Sequence, residues 1–188
     1  MAQASVLTDS DIRRVFRIIE TTRHAERNRL AFVLSIYAGM RIGEIAALQI
    51  EDVANDEREP PREIKLSSEQ TKGSRGRTVV LSERVRREIG VHLKTRPQCQ
   101  NDAPLIASQR NRRFFSNVSL SMLVKEIYDL AGIRTSSHSG RRTFATRLNE
   151  KGVGMKTIQR LMGHKNIATT ALYCEVSDTV MRSAVELV

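Results

Sequence analysis

The longest apolar run, from Leu30 to Met40, constrains the fold of this chain more than any other feature. Only Ser35 and Gly39 interrupt it, and it lies mostly within a predicted helix over residues 26–38. A helix that is apolar on most of its sides is a buried one, so we expect this helix at the centre of the domain. The run is too short to cross a bilayer, which takes about 20 apolar residues.

The remaining elements follow from periodicity, caps and turn residues. Thr8 is a plausible N-cap for a first helix with an apolar face. Short strands over 64–66 and 77–81, joined by a turn over 71–76, predict an antiparallel hairpin. Further helices are predicted over 42–48, 82–95, 119–131, 138–150, 155–162, 167–175 and, as a tail, 177–188. We therefore expect a mostly α fold with one small antiparallel β-sheet (α+β), as a single domain over residues 1–188.

The charge balance points to a polyanionic partner. The 188-residue chain has 31 Lys and Arg against 21 Asp and Glu, a formal charge of +10. Such a surface favours nucleic acid, whereas the absence of Trp and the 4% aromatic content disfavour base stacking on single strands. Cys99 and Cys174 stand far apart, so neither a disulfide framework nor a zinc site is indicated. With no visible secretory signal or membrane span, we expect a cytoplasmic, nucleoid-associated protein.

Polar residues at the ends of predicted elements are the candidates for chemistry. Arg41 directly follows the apolar helix, and Glu44 lies three residues further on, close enough to pair with it. Lys72 lies in the basic hairpin turn. His138 and Arg141 share one helix face through their i, i+3 spacing. Taken singly, Arg41 and Glu44 could equally form a surface ion pair, and Lys72 could lie in a solvated turn. His138 and Arg141 could equally lie on a helix surface.

Two further candidates lie near the C-terminus. His164 follows Gly163, a residue type suited to the left-handed position after a helix. Tyr173 lies nine residues after His164 and could equally be a core or interface tyrosine. The joint order of an arginine, a lysine, His-x-x-Arg, Gly-His and a tyrosine is much more specific than any one of these features.

That order resembles the catalytic domain of the tyrosine recombinases, or phage-type integrases. The matching stretches are residues 37–48, Thr71-Lys72-Gly73 with 77–79, 138–146, and 161–164 with Tyr173. The resemblance runs from about residue 7 to residue 176. Two positions depart from the family pattern: Gly140 stands where a bulky apolar residue is usual, and Arg142 where a histidine is common. The resemblance also implies that the N-terminal core-DNA-binding domain of the family is absent from this chain.

The resemblance implies a nucleophile and a phosphate clamp. Tyr173 would attack a DNA phosphodiester, forming a 3′-phosphotyrosyl bond and freeing a 5′-hydroxyl. A phenol with a pKa of about 10 needs help to lose its proton near pH 7, and His138 would act in that transfer. Arg41 and Arg141 would hold the negative charge of the transition state as two permanently charged forks.

The other implied roles concern the leaving group and support. His164 would donate a hydrogen bond to the phosphate, and Lys72 would protonate the leaving 5′-oxygen. Glu44 would hold Arg41 in place. No cofactor is expected: neither a metal-ligand cluster nor a phosphate-binding Gly-rich loop is visible, and the covalent link conserves the bond energy without ATP.

The partners expected are double-stranded DNA and further copies of the chain, with no membrane. The family pattern implies a tetramer on DNA and a monomer free in solution. The tail helix over 177–188 would dock onto a neighbouring protomer, although its apolar stripe would equally suit packing on its own domain. The expected phosphate contacts are Arg75, Arg77, Arg112, Arg113, Arg134 and Lys165.

Two alternatives to a site-specific recombinase remain at this point. A type IB-like DNA topoisomerase would use the same chemistry to relax supercoils without exchanging strands, but the short length and the integrase-like motifs argue against it. A non-catalytic, basic DNA-binding regulator would leave the six catalytic residue types in order unexplained.

Overall fold

A thirteen-residue helix, α2 (Ala25–Tyr37), forms the centre of the molecule. In the computed structural model, residues 4–71, 76–109, 112–172, 181–182 and 185–186 are described. Nine α2 residues are buried, and the helix packs against α1, α3, α5 and α7. These helices are α1 (Asp9–Glu20), α3 (Ile42–Ala47), α5 (Glu83–Lys94) and α7 (Ser139–Glu150). The prediction of a central helix from the apolar run is confirmed.

A two-stranded antiparallel sheet lies beside these helices. Strand β1 (Glu63–Leu66) pairs with β2 (Arg77–Val80) in a register that sets Ile64 opposite Val79. Within β2, Val79 is buried while Thr78 and Val80 are exposed, so one face of the sheet packs on the core. The predicted fold class, mostly α with one small antiparallel sheet, is confirmed.

Two local predictions differ from the structure. A short helix, α4 (Ile50–Val53), was not predicted because four residues are too few to show a helical period. Helix α6 (Asn117–Leu130) begins earlier than residue 119 because Ser116 is its N-cap. The Ser116 hydroxyl accepts a hydrogen bond from the backbone N–H of Ser119 at 3.1 Å.

A small second cluster of buried residues joins α7 to α8 (Met155–Met162). Its buried members are Ala145, Ile158 and Met162, separate from the main core around α2. Helix α9 (Ile167–Ala171) follows and packs on α8. This cluster sets the position of the turn after α8, where Gly163 and His164 lie.

The tail prediction falls mostly outside the described residues. Of residues 177–188, only 181–182 and 185–186 are described, and among them Met181 and Val185 are exposed. The exchange of this segment between protomers stays a prediction, as does the single domain over 1–188. Among the described residues, no helix is long and apolar enough to cross a membrane.

Candidate active site

Arg41 and Glu44 are placed by the sharp end of α2. Gly39 has φ +62°, and a Cβ there would lie 2.4 Å from Cδ1 of Phe144, so only glycine fits this turn. The chain then enters α3 with Arg41 as its N-cap. Glu44 accepts a hydrogen bond from the backbone N–H of Arg41 at 2.8 Å and pairs with its guanidinium at 2.8 Å. Glu44 thus both caps α3 and orients Arg41, as the spacing indicated.

Glu44 is one of the most buried charged groups described, with 1% of its surface exposed. Burial opposes its ionisation, but hydrogen bonds and charge from Arg77, with smaller contributions from Arg41 and Arg141, outweigh burial and lower its pKa. One carboxylate therefore faces three guanidinium groups. The site keeps a net positive charge that suits a phosphate.

Arg77 has a role that the sequence analysis did not predict. Its Nε and Nη2 atoms donate to the two carboxylate oxygens of Glu44 at 2.9 and 2.7 Å. Its Nη1 atom donates to the carbonyl oxygen of Leu161 at 2.9 Å. The guanidinium is thus bound inside the protein, and its predicted contact with DNA remains a prediction. The alternation of β2 could have indicated that Arg77 points into the protein, because Arg77 shares a strand face with the buried Val79.

Arg141 lies in the first turn of α7 and is 3% exposed. Its guanidinium donates to the carbonyl oxygens of Gly39 and Met162, and its Nη2 atom lies 3.0 Å from Nε2 of His164. These contacts join the end of α2 to the end of α8. Arg141 is therefore held close to the segment that carries Arg41.

Close packing of α7 on α2 explains Gly140. A Cβ at Gly140 would lie 2.5 Å from Oγ of Ser35 and 3.4 Å from the backbone nitrogen of Ile36. The bulky apolar residue of the family pattern therefore does not fit this interface as it stands. Arg142, at the other departure, is buried, whereas His138 precedes the helix and is exposed.

His164 is positioned by the end of α8. Gly163 adopts the left-handed conformation (φ +61°), and its carbonyl oxygen accepts a hydrogen bond from Nη2 of Arg41 at 3.3 Å. Nδ1 of His164 lies 2.9 Å from Oγ1 of the buried Thr170. Burial first, and then the charges of Arg141, Arg41 and Arg77, lower the pKa of His164 to about 4.

The structure thus brings Arg41 and Glu44 together with Arg141 and His164, two pairs of residues that lie far apart in the sequence. Thr170 joins them without having been predicted. Lys72, Arg75 and Tyr173 lie outside the described residues. The other predicted phosphate contacts, which are all exposed, are Arg112, Arg113, Arg134 and Lys165. Within the described ranges, no group of three or more His, Cys, Asp or Glu residues could hold a metal ion.

Comparison with known proteins places this arrangement in a family. The model of the phage integrase family matches residues 5–179. The tyrosine recombinase XerA of Pyrococcus horikoshii is 32% identical over 183 residues, which cover 96% of this chain and 60% of that protein. XerA of Thermococcus onnurineus is 32% identical over 181 residues, covering 96% and 61%. The chain spans about 60% of the length of these relatives.

Solved structures share the fold. A crystal structure of XerA recombinase superposes with a TM-score of 0.77 at 24% identity, covering 100% of this chain and 66% of that one. The Tn1549 transposon integrase, solved in complex with a circular intermediate DNA, gives a TM-score of 0.77 at 20% identity, covering 100% and 67%. The fold is that of tyrosine recombinase catalytic domains, and the chain belongs to the phage integrase family.

Proposed function

We propose that this chain is the catalytic part of a site-specific DNA recombinase that cleaves and rejoins DNA through a covalent 3′-phosphotyrosyl intermediate. The observation that carries the proposal is the convergence of Arg41, Arg141 and His164 around the buried Glu44. These residues come from the ends of three different helices, and family membership supports the same conclusion.

The proposed chemistry assigns one task to each side chain. Tyr173 attacks the phosphorus, and the 5′-oxygen leaves with a proton from Lys72. Arg41 and Arg141 bind the non-bridging oxygens, where negative charge accumulates in the transition state, and His164 donates a further hydrogen bond to them. Glu44 neutralises only one of the three neighbouring guanidinium groups. The site therefore keeps a net positive charge, which stabilises the negative charge of the transition state. His138 takes part in the proton transfer from Tyr173.

The proposed partner is double-stranded DNA. The net charge of +10 and the exposed Arg112, Arg113, Arg134 and Lys165 support binding to the phosphate backbone. Arg75 and Arg77 are the remaining proposed contacts with DNA. Arg77 would first have to leave its pairing with Glu44. On DNA we propose a tetramer linked through residues 177–188, and a monomer in its absence. The proposed location is the cytoplasm, at the nucleoid.

A covalent-trapping experiment tests the nucleophile. A library of duplexes nicked at varied positions lets a short 5′-hydroxyl fragment diffuse away after cleavage, so that religation fails. The full chain, without added metal or ATP, should form a denaturant-stable DNA adduct, and Tyr173→Phe should form none. Tyr37→Phe is the matched control, because Tyr37 lies in α2 beneath the guanidinium of Arg84 and should tolerate the change.

The outcomes separate the alternatives. An adduct in the wild type and in Tyr37→Phe alone supports the proposal. An adduct in Tyr173→Phe would remove Tyr173 as nucleophile, and DNA binding with no adduct in any variant would favour a non-catalytic regulator. Strand exchange between two marked duplexes, compared with relaxation of a supercoiled plasmid, then distinguishes a recombinase from a topoisomerase.

A further inference from the structure

A segment ahead of α1 runs along α7, the helix that carries one of the two proposed phosphate-binding arginines. Residues 4–8 lie outside any helix or strand. The backbone N–H of Leu7 donates to Oγ1 of Thr143 at 2.8 Å, and the Thr143 hydroxyl donates to the carbonyl oxygen of Ser139 at 2.7 Å. Leu7 is 2% exposed, and Thr143 and Ser139 are completely buried. One buried hydroxyl thus joins the segment to the first two turns of α7.

Two further contacts flank this one. The backbone N–H of Ser5 donates to Oγ1 of Thr135 at 3.1 Å, and the hydroxyl of Thr135 is hydrogen-bonded to that of Ser139. On the other side, Nη2 of Arg147 donates to Oδ1 of Asp9 at 2.5 Å. Two residues of extended chain span about 6.6 Å, and four residues of an α-helix span about 6 Å. Residues 5–9, here called segment 5–9, therefore meet α7 at three successive turns.

These contacts fix the position of α7 along its own axis. Packing on α2 is not directional, and packed helices can slide past each other by small amounts. A hydrogen bond, in contrast, weakens steeply when its donor and acceptor move out of line. Arg141 lies midway between Ser139 and Thr143 in the sequence, and His138 directly precedes α7. A shift of α7 would therefore move both of these proposed catalytic residues.

We infer that Thr143 is a positioning residue, whose hydroxyl links α7 to segment 5–9 and so holds Arg141 and His138 in place for the scissile phosphate. The inference rests on the proposed function for its phosphate, but not for the link between α7 and segment 5–9. Leu7 lies 136 residues before Thr143. The active site is thus supported by a part of the chain that carries none of the proposed catalytic residues.

Loss of the hydroxyl should release α7 from segment 5–9. Thr143→Val keeps the shape of the side chain but leaves the buried N–H of Leu7 without its acceptor, which costs more than the loss of an exposed hydrogen bond. Arg141 would then bind the transition state less well, because catalytic contacts tolerate little displacement. DNA affinity should change little, since it is the sum of many phosphate contacts.

Amide hydrogen exchange tests the link without DNA. In the wild type the amide of Leu7 should be protected, because it is buried and hydrogen-bonded. Thr143→Val should speed its exchange by about tenfold or more, the scale of a buried hydrogen bond left unmade. Thr143→Ser keeps the hydroxyl and should keep the protection.

Thr22→Val is the matched control. The hydroxyl of Thr22 also accepts one hydrogen bond, from Nδ2 of Asn28 at 2.9 Å, and donates to one helix carbonyl, that of Ile19 at 2.7 Å. Thr22 precedes α2, whose 13 residues separate it by about 20 Å from the turn that leads to Arg41. Hydrogen bonds of the same number and kind are thus lost away from α7. Neither the exchange of the Leu7 amide nor cleavage should change.

Cleavage of the nicked duplex gives the functional readout, at a temperature where every variant is folded. At saturating DNA, Thr143→Val should form the adduct about threefold to tenfold more slowly, with a dissociation constant within about twofold of the wild-type value. Thr143→Ser should recover most of the rate, and Thr22→Val should keep all of it. A general loss of stability would not single out position 143 in this way.

The exposed Ser5 provides a second variant that does not disturb the core. Proline has no backbone N–H, so Ser5→Pro removes the donor to Thr135 while the contact between Leu7 and Thr143 stays. Cleavage should slow by about twofold to threefold, less than in Thr143→Val, because the lost hydrogen bond is exposed. If Thr143→Val does not fold, an unchanged rate in Ser5→Pro would still contradict the inference.

Several other results would overturn the inference. Unchanged exchange of the Leu7 amide in Thr143→Val, faster exchange with an unchanged rate of cleavage, or an equal slowing in Thr22→Val would each contradict it. A chain that forms no adduct in any variant would contradict the proposed function and with it the catalytic part of the inference. Exchange of the Leu7 amide would still decide whether Thr143 holds segment 5–9, so the two failures are distinguishable.

Discussion

Arginine side chains are held by protein acceptors at both ends of α2, but by different means. At the C-terminal end, Arg41 and Arg77 share the carboxylate of Glu44. At the N-terminal end, Arg27 donates to neutral acceptors, among them the carbonyl oxygen of Ala107 at 3.1 Å, and desolvation lowers its pKa. The first arrangement gathers charge at one point, whereas the second attaches a loop to the helix.

The half-buried His164 and the buried His92 differ in the same way. Nε2 of His164 accepts from Arg141, whereas Nε2 of His92 donates to the carbonyl oxygen of Leu105. Both pKa values are lowered, chiefly by burial. The comparison teaches that burial is the largest cause of a neutral ring in both histidines, and that the neighbouring donor or acceptor then decides whether the ring supports a cationic site or a loop.

Removal of the Glu44 carboxylate should have the largest effect on both stability and cleavage. Glu44→Gln leaves three guanidinium groups facing one another without a countercharge, so we expect a loss of about 3–5 kcal/mol in the free energy of unfolding. Adduct formation should fall by at least about 100-fold, the scale of a lost transition-state contact, because Arg41 loses its fixed orientation. Urea denaturation and the nicked-duplex assay measure the two effects.

Glu88→Gln is the matched control for this change. Glu88 also binds one guanidinium through both oxygens, that of Arg29, at 2.8 and 2.7 Å, but the pair is partly exposed. We expect a loss of about 1 kcal/mol or less and an unchanged cleavage rate. Equal losses in the two variants would show that the buried position of Glu44 gives it no special role.

The contact between Gly163 and Arg77 gives a second test of the comparison between the two ends of α2, because it occurs in the candidate active site at the C-terminal end. A Cβ at Gly163 would lie 2.4 Å from Cδ of Arg77, whereas one at Gly152 would have nothing within 4 Å. Both glycines have positive φ, so each change to alanine costs about 1–2 kcal/mol in backbone strain. Gly163→Ala should cost about 1–3 kcal/mol more, from overpacking, and should slow cleavage.

Thermal unfolding of both alanine variants measures the difference. Equal losses of stability would mean that Arg77 moves aside freely, and that its position between Glu44 and α8 does not restrict the residue at position 163. An unchanged cleavage rate in Gly163→Ala would further show that His164, the next residue, does not depend on this contact.

Local signals made most of the fold predictable. The apolar run specified α2, caps such as Thr8 specified helix starts, and alternation specified the hairpin. Helix α4 was missed because it is too short for a period. The early start of α6 was missed because Ser116 and Ser119 are both plausible caps in the sequence.

The site was predictable only in part. The order of residue types identified Arg41, Glu44, Arg141 and His164, which the structure brings together. The partners of Arg77 could not be read from the sequence, because its pairing with Glu44 depends on how β2 approaches α3. The same holds for Thr170, whose hydroxyl meets His164 only when α9 folds back on α8.

The smallest expected effect concerns pH, and it tests whether the two histidines are neutral for the same reason. An unfolded histidine binds a proton near pH 6.5, whereas folded His164 does so near pH 4, so the unfolded state holds more protons between these values. The stability that the neutral ring contributes is complete above pH 6.5 and is lost as the pH falls toward 4. Because the ring of His164 is half-buried, the slope should stay below the ~1.4 kcal/mol per pH unit of one fully titrating group.

Urea denaturation from pH 4 to 7 measures that slope in the wild type, His164→Gln and His92→Gln. Each variant should be flatter than the wild type, since each lacks one group whose pKa is lowered on folding. Addition of the Glu44→Gln change should leave the slope due to His92 unaltered. It should steepen the slope due to His164, because the charge of Glu44 favours the protonated ring of His164 and its loss would lower that pKa further. An equal response of both histidines would mean that the charge of Glu44 does not act on His164, and the contrast between the two ends of α2 would then reduce to burial.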